Sequence, residues 1–214
     1  MPPEIGTHAL LRLADARALE AEGGLPAWAA AALRRAPWVV VRRARRAGAL
    51  IPVGVRGASR GERLAAWLHP DAVLEYLTPC ELAARAGWRG TARCAHVPAL
   101  AALETVAGLM RSQELVWGPC GSVGFELASG STTATEDSDL DLMVAVEAPL
   151  PRAAAAALQA RLARLPVRAE VLLEGPQGAV ALAEYASGTA PLLLRTVDGP
   201  RLVDDAWGGA AAAA

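Results

Sequence analysis

Short runs of alternating apolar and polar residues fill the first 92 residues and predict strands joined by brief helices. The predicted strands cover residues 8–13, 38–41, 50–55 and 63–68. Helix-forming residues predict helices over 14–22 and 26–35, and a capping box at Thr78 and Glu81 predicts a third. This part of the chain is therefore predicted to form a small mixed α/β domain over residues 1–92.

The apolar pattern acquires a helical period after residue 92. Two amphipathic helices follow from this spacing, one carrying Leu100, Leu103, Val106 and Met110, the other carrying Leu158, Leu162 and Leu165. Strands are predicted at residues 116–117, 139–146, 167–174, 179–185 and 191–196, the last as the final strand, with a helix over 123–128. The predicted class is α+β, with a second domain over 93–207 and a frayed tail over 208–214.

Composition narrows the class of protein without identifying a function. The chain has 214 residues, 53% of them hydrophobic, which is enough for one large domain or two small ones. A formal net charge of -1 gives no global electrostatic argument for nucleic acid binding. All 21 basic residues are arginines, and the abundance of alanine beside them indicates a GC-rich coding sequence rather than a demand for cationic surface.

Cysteine usage and the N-terminal residues predict a reduced, cytoplasmic protein. Cys80, Cys94 and Cys120 are an odd number, and the opening residues lack a basic region followed by an apolar core. No apolar stretch reaches the 18 or so residues that cross a bilayer. The cysteines together with His96 lack the usual zinc-ligand spacing, so isolated thiols are favoured over a metal site.

The strongest chemical signal is a pair of aspartates, Asp139 and Asp141, separated by one residue. In a strand these side chains share one face, while the apolar residues around them share the other. Two carboxylates at this spacing converge on divalent cations in two-metal phosphoryl or nucleotidyl transfer. The alternative is a solvated acidic turn that also includes Glu136 and Asp137.

Two other features are candidates for binding anions. Gly121 and Ser122 form a predicted turn between a strand and a helix, where free backbone N–H groups and a hydroxyl face a phosphate. Arg42, Arg43, Arg45 and Arg46 form a cluster that suits phosphates or an acidic protein surface, and equally suits the solvated tip of a hairpin.

In their order along the chain, Gly121, Ser122, Asp139 and Asp141 resemble the motif of the nucleotidyltransferase superfamily that includes DNA polymerase beta. The resemblance implies a mixed sheet flanked by helices, bound Mg²⁺ or Mn²⁺, and a third carboxylate on a later strand, where this chain has Glu170. The alternative for Glu170 is a surface glutamate paired with an arginine. Arg195, on the last predicted strand, faces either the phosphates or the solvent.

A narrower resemblance rests on segments such as LIPVGVRGASRGERLAAWL, TPCELA, WGPCGSVGFELASG and DSDLDLMV. They are similar to the malonate decarboxylase holo-acyl-carrier-protein synthases, also called phosphoribosyl-dephospho-CoA transferases. This family implies transfer of the phosphoribosyl-dephospho-CoA group from triphosphoribosyl-dephospho-CoA to a carrier-protein serine, with release of pyrophosphate. Asp139 and Asp141 would be the catalytic carboxylates. No nucleic acid or membrane partner is implied.

Two departures from the family pattern concern residues of the expected site. Arg168-Ala169-Glu170 stands where relatives often have Asp-Gly-Glu, and Arg195 replaces a lysine. Two alternative functions also stay open. One is a nucleotidyltransferase that uses ATP to adenylylate a small molecule or a protein, and the other is a catalytically silent domain that binds a nucleotide or a carrier.

Overall fold

The computed structural model describes residues 6–59 and 61–208, and its strands form two six-stranded sheets. The first sheet uses strands from the first 77 residues, and the second uses strands from residue 116 onward. The predicted α+β class, with a mixed sheet flanked by helices, is confirmed. Except for Gly208, the predicted frayed tail lies outside the described residues.

The N-terminal sheet is entirely antiparallel, with strand order β2-β5-β4-β3-β1-β6. Its strands are β1 (Leu10–Leu13), β2 (Leu19–Glu20), β3 (Trp38–Val41), β4 (Ile51–Arg56), β5 (Arg63–Leu68) and β6 (Val73–Leu77). Helix α1 (Ala27–Arg35) covers one face, where Ala29 and Leu33 pack with Val39 and Val53. Helix α2 (Pro79–Arg85) follows, and the predicted capping box between Thr78 and Glu81 is present.

The second sheet runs in chain order, from β7 to β12. Its strands are β7 (Val116–Pro119), β8 (Leu140–Ala145), β9 (Ala169–Gly175), β10 (Gly178–Ala181), β11 (Leu192–Thr196) and β12 (Gly199–Val203). Its helices are α3 (Pro98–Ser112), α4 (Gly121–Ser129), α5 (Arg152–Leu162) and α6 (Leu182–Ser187). Strands β8 and β9 pair in parallel, and the other pairs are antiparallel. One sheet face packs with α3, α5 and α6 in a single apolar cluster.

Three predicted elements differ from the structure. Residues 14–22 do not form a helix, because Asp15 caps a short 3-10 turn and β2 then pairs with the edge of β5. Residues 179–185 are only half strand, since α6 begins at Leu182. Strand β11 is not the last strand, because a turn at Asp198 returns the chain as β12.

The second face of the N-terminal sheet has two different neighbours. On its β1, β3 and β6 side, Leu10, Trp38 and Leu77 pack with Leu82 of α2 and Phe125 of α4 in a separate apolar cluster. On its β4 and β5 side the same face lines a cleft.

The position of the domain boundary stays a prediction. Among the described residues, no helix combines the length and the apolar character needed to span a bilayer.

Candidate active site

Two carboxylates lie side by side on neighbouring parallel strands. Asp141 of β8 is in register with Glu170 of β9. Residues in register on adjacent strands point to the same face of a sheet, so both side chains project from the face opposite the buried Leu140 and Leu142. Asp139 precedes β8 by one residue and is half-buried. Asp141 therefore lies on the face opposite the apolar residues, as predicted. The placement of Asp139 on that same face stays a prediction, because Asp139 lies outside the strand.

The electrostatic environment of Asp141 is that of a crowded acidic site. Burial raises the pKa of the Asp141 carboxyl, and the negative charges of Glu170 and Asp139 raise it further. Arg56 and His8, both from the N-terminal sheet region, act in the opposite direction on the same pKa. A cation placed among these carboxylates would relieve their mutual repulsion.

Gly121 is required by its contact with Asp141. It has a φ of +57°, and a Cβ at this position would lie 1.8 Å from Oδ2 of Asp141. The backbone N–H of the preceding Cys120 also donates to the carbonyl oxygen of Asp141, at 2.8 Å. The start of α4 therefore lies directly against the aspartate. The nearest side-chain neighbour of Gly121 is thus the Asp141 carboxylate. The approach of a phosphate to Gly121 stays a prediction.

Ser122 is buried at the second residue of α4 and holds the next loop through its backbone. Its carbonyl oxygen accepts a hydrogen bond from the Thr133 hydroxyl at 2.8 Å. Ser122 and Asp139 are not among the described residues that line the cleft, whereas Gly121 and Asp141 are. The hydroxyl of Ser122 as a phosphate donor stays a prediction.

The loop between α4 and β8 is held by Glu126, whose side chain is 11% exposed. Its carboxylate accepts the backbone N–H groups of Thr133 and Ala134, at 2.8 and 2.9 Å, and pairs with Arg93 at 2.9 Å. Burial would raise the pKa of Glu126, but these hydrogen bonds outweigh it and lower the pKa. By holding Thr133 and Ala134, Glu126 positions the part of the loop that leads to Asp139.

The carboxylates of Asp141 and Glu170 face a cleft of about 1300 Å³ between the two sheets. Its wall on the second sheet includes Asp141, Glu170 and Arg195, and the opposite wall includes Arg42, Arg56 and Arg63 from the N-terminal sheet. Cationic groups therefore face anionic groups across the cleft. This arrangement suits a phosphorylated ligand that approaches the carboxylates with a metal ion.

Glu170 combines features of both interpretations drawn from the sequence. It is in register with Asp141, as a third carboxylate requires, and it also pairs with Arg168 at 2.6 Å. Its side chain is 50% exposed. A paired and exposed carboxylate is free to exchange its arginine for a ligand at low energetic cost.

Arg195 lies on the cleft-facing side of β11. The described residues offer its Nη1 atom no hydrogen-bond partner, although this atom is buried. A buried guanidinium N–H without an acceptor is costly, so an anion in the cleft would satisfy it.

The arginine cluster supports neither sequence interpretation in full. The side chain of Arg43 contacts Glu174 of β9, and Arg45 contacts Asp198 in the turn between β11 and β12. His8 joins the same carboxylate of Glu174 at 3.2 Å. These residues therefore link the N-terminal sheet to the second sheet, while Arg42 of the same cluster turns into the cleft.

The sequence interpretation missed the contribution of the N-terminal domain to this cleft. Arg56 and Arg63 are paired residues on β4 and β5, and His8 has a φ of +69°, unusual for a residue with a side chain. The alternation of core and cleft positions along β4 was the available signal, because Val53 and Val55 are buried while Arg56 points to the other face.

The acidic residues suit a cation whose remaining ligands come from the substrate. Among residues 6–59 and 61–208, no three His, Cys, Asp or Glu side chains converge as a ready-made metal cage. Mg²⁺ is commonly bound by one or two carboxylates together with substrate phosphates, so this donor set fits it. The predicted isolated cysteines are all free thiols, and Cys120 is buried beside the site.

Comparisons with known proteins give a consistent result over nearly the whole chain. Residues 82–206 match the family model described as phosphoribosyl-dephospho-CoA transferase MdcG C-terminal domain, and residues 6–79 match that of the N-terminal domain. Among proteins named phosphoribosyl-dephospho-CoA transferase, one from Azotobacter vinelandii is 43% identical, with 87% of each chain covered. One from Pseudomonas fluorescens is 40% identical, with 86% of each chain covered. One from Klebsiella pneumoniae is 38% identical, over 94% of this chain and 95% of its own. No solved structure matches significantly.

Proposed function

This chain belongs to the MdcG family of phosphoribosyl-dephospho-CoA transferases, and from that premise we propose its full reaction. The enzyme transfers the phosphoribosyl-dephospho-CoA group from triphosphoribosyl-dephospho-CoA to a serine of the malonate decarboxylase acyl-carrier subunit, and pyrophosphate leaves. The observation that carries this proposal is the register of Asp141 with Glu170 at the floor of a cleft with an arginine-rich opposite wall.

The bond changes define what the site has to do. The serine oxygen forms a bond to the α-phosphorus of the donor, and the bond from that phosphorus to the bridging oxygen breaks. The electron pair of the broken bond leaves with pyrophosphate, and the serine proton passes to a carboxylate, for which the exposed Glu170 is available. Such a transfer needs compensation of the charge that develops on the leaving group.

Each predicted site residue has a role in this proposal. Asp139 and Asp141 hold Mg²⁺ or Mn²⁺, with Glu170 as a further ligand or as the proton acceptor. Bound metal supplies charge neutralisation on the triphosphate and the leaving pyrophosphate.

The groups that hold the phosphates come from one strand and the start of one helix. Gly121 and Ser122 begin α4, whose first backbone N–H groups suit a phosphate oxygen. The unpartnered Nη1 of Arg195 suits another. The three free cysteines suit a reducing compartment, so the proposal places the enzyme in the cytoplasm.

The intact mass of the carrier tests the proposal. The protein is incubated with MgCl₂, triphosphoribosyl-dephospho-CoA and the apo-carrier, and the carrier should gain one phosphoribosyl-dephospho-CoA group while pyrophosphate appears in equal amount. A carrier with its acceptor serine changed to alanine, and the Asp141→Asn enzyme, are the controls. Labelling only when ATP replaces the donor would favour the adenylylating alternative. Binding without any labelling would favour the silent one.

A further inference from the structure

The cleft-facing side of the N-terminal sheet consists of three successive rows of residues with different chemistry. The first row is Arg56 beside Arg63. The second row is Val40, Gly54 and Ala65, which are in register on β3, β4 and β5. The third row is Arg42, Pro52 and Trp67: the backbone N–H of Arg42 donates to the carbonyl oxygen of Pro52, and Pro52 is in register with Trp67. Successive rows are about 7 Å apart, since same-face residues in a strand are two positions apart.

The third row holds Arg42 in a fixed position. Its Nε donates to the carbonyl oxygen of Val53 at 2.8 Å, and its Cζ lies 5.8 Å from the ring centroid of Trp67. Its Cγ and Cδ atoms lie over Gly54, each 3.5 Å from the position that a Cβ would take there. The described residues give its two terminal amino groups no hydrogen-bond partner. These donors are thus presented to the cleft.

The rows align with the opposite wall in a definite direction. Arg56 of the first row lies near enough to Asp141 to influence its ionisation. Arg42 of the third row precedes Arg43, which contacts Glu174, four residues along β9 from Glu170. Four strand residues span about 13 Å. The carboxylate end and the Arg42 end of the cleft are therefore separate, with the small residues of the second row between them.

A ligand that fits this wall carries two anionic groups joined by a flat, largely uncharged part. The donor of the proposed reaction has this form. A triphosphate occupies one end, two ribose rings and an adenine lie between, and the diphosphate of the dephospho-CoA part lies beyond. The planar fork of a guanidinium donates to two neighbouring phosphates better than the single point charge of an ammonium group does.

We propose that Arg42, supported by Trp67, forms a subsite for the diphosphate of a nucleoside 5'-diphosphate ester, and that the nucleoside lies on the exposed Ala65 side of the second row, beside the Arg42 side chain that covers Gly54. The proposal rests on the proposed function for the identity of the ester. In this arrangement the arginine pair of the first row faces the triphosphate, and Arg42 selects donors that carry a dephospho-CoA group.

Calorimetric binding of dephospho-CoA to the full chain, in EDTA and without carrier, tests the subsite separately from the chemistry. Arg42→Gln should weaken binding at least about tenfold, because a hydrogen-bonded charge is lost. Arg42→Lys should recover only part of the affinity. Arg46→Gln removes a charge from the same cluster at an exposed position without an ion pair in the described structure, and it should leave binding unchanged. Adenosine, which lacks the diphosphate, should bind the wild type and Arg42→Gln equally.

A second variant keeps the test decisive if Arg42→Gln unfolds. Ala65→Phe adds a ring at an exposed position of the second row and should block both dephospho-CoA and adenosine while circular dichroism stays unchanged. Equal losses in Arg42→Gln and Arg46→Gln, unchanged binding in folded Arg42→Gln, or no binding by the wild type would overturn the subsite. A wild type that binds dephospho-CoA as described and never labels the carrier would instead overturn the proposed function.

Discussion

Gly121 and Asp141 are so close that no side chain fits between them: a Cβ on Gly121 would lie 1.8 Å from the Asp141 carboxylate oxygen. The glycine is thus a condition for the position of the carboxylate. Its positive φ of +57° adds a second reason for glycine, because side chains disfavour this backbone conformation.

Gly121→Ala should therefore abolish most of the transfer activity by displacing the Asp141 carboxylate, at a modest cost in stability of about 1 kcal/mol from the backbone conformation. Gly130→Ala is the matched control. Gly130 ends the same helix with a φ of +70°, but none of the described residues comes within 4 Å of an added Cβ there, so its variant should lose similar stability and keep its activity. Equal turnover in the two variants would refute the role of this contact.

Asp139→Asn and Asp141→Asn should each lower the turnover number by at least about a hundredfold, since each removes a charge that would hold the metal. The two should differ in thermal stability without divalent cations. The raised pKa of Asp141 means that the folded state disfavours its ionised form, so Asp141→Asn should melt at a higher temperature than the wild type. Scanning calorimetry beside turnover checks this. Full activity in either variant would contradict the metal site.

The ion pairs of Glu174 predict a loss of stability in acid. Burial would raise the pKa of Glu174, but the hydrogen bonds from His8 and Arg43 outweigh it and lower the pKa. A lowered pKa contributes stability above the unfolded value of about 4.3, and this stability is lost as pH falls through the folded value. Melting temperatures from pH 7 to pH 3 should therefore fall less steeply for Glu174→Gln than for the wild type.

At pH 7 Glu174→Gln should also be less stable, on the order of 3 kcal/mol, because Arg43 and Glu174 are each only 15% exposed. Glu147→Gln, at an exposed position without an ion pair in the described structure, is the control and should follow the wild type at every pH. An acid limb in Glu174→Gln as steep as in the wild type would mean that other carboxyl groups dominate.

Glu126→Gln should destabilise the fold by about 2 kcal/mol, since a glutamine amide has only one acceptor oxygen and cannot accept from both Arg93 and the two backbone N–H groups. It should also reduce turnover, because the loop that leads to Asp139 loses its anchor. Glu104→Gln is the comparison. Glu104 pairs with Arg89 at a surface position that is 58% exposed, so its loss should cost less than about 1 kcal/mol. Denaturant unfolding would rank the two.

The sequence allowed most of the second sheet to be predicted, because its signals are local. The alternation around Asp141 specified a strand with one buried face. The order of Gly121 and Asp141 matched a known motif, but the direct contact between the two residues was not predicted. The short edge strand β2 was not predictable in this way. Its two residues are strand only because Leu19 pairs with Leu68, far along the chain.

The interactions between the domains were beyond local reasoning for the same physical reason. Four arginines in five residues look alike in a sequence, yet Arg42 enters the cleft, while Arg43 and Arg45 meet carboxylates more than 100 residues away. Their partners follow from how the two sheets pack together. Charge patterns predict exposure on average, and they do not identify partners of this kind.

Phe125 of α4 is buried against the N-terminal sheet, and this packing bears on how substrates enter the cleft. Phe125 lies one helical turn after Gly121, and it packs with Leu10 and Trp38. Swinging the sheets apart would extract Phe125 from this cluster and separate Glu174 from its partners in the same motion. We therefore expect substrates to enter through the open mouth of the cleft while the two sheets stay packed together.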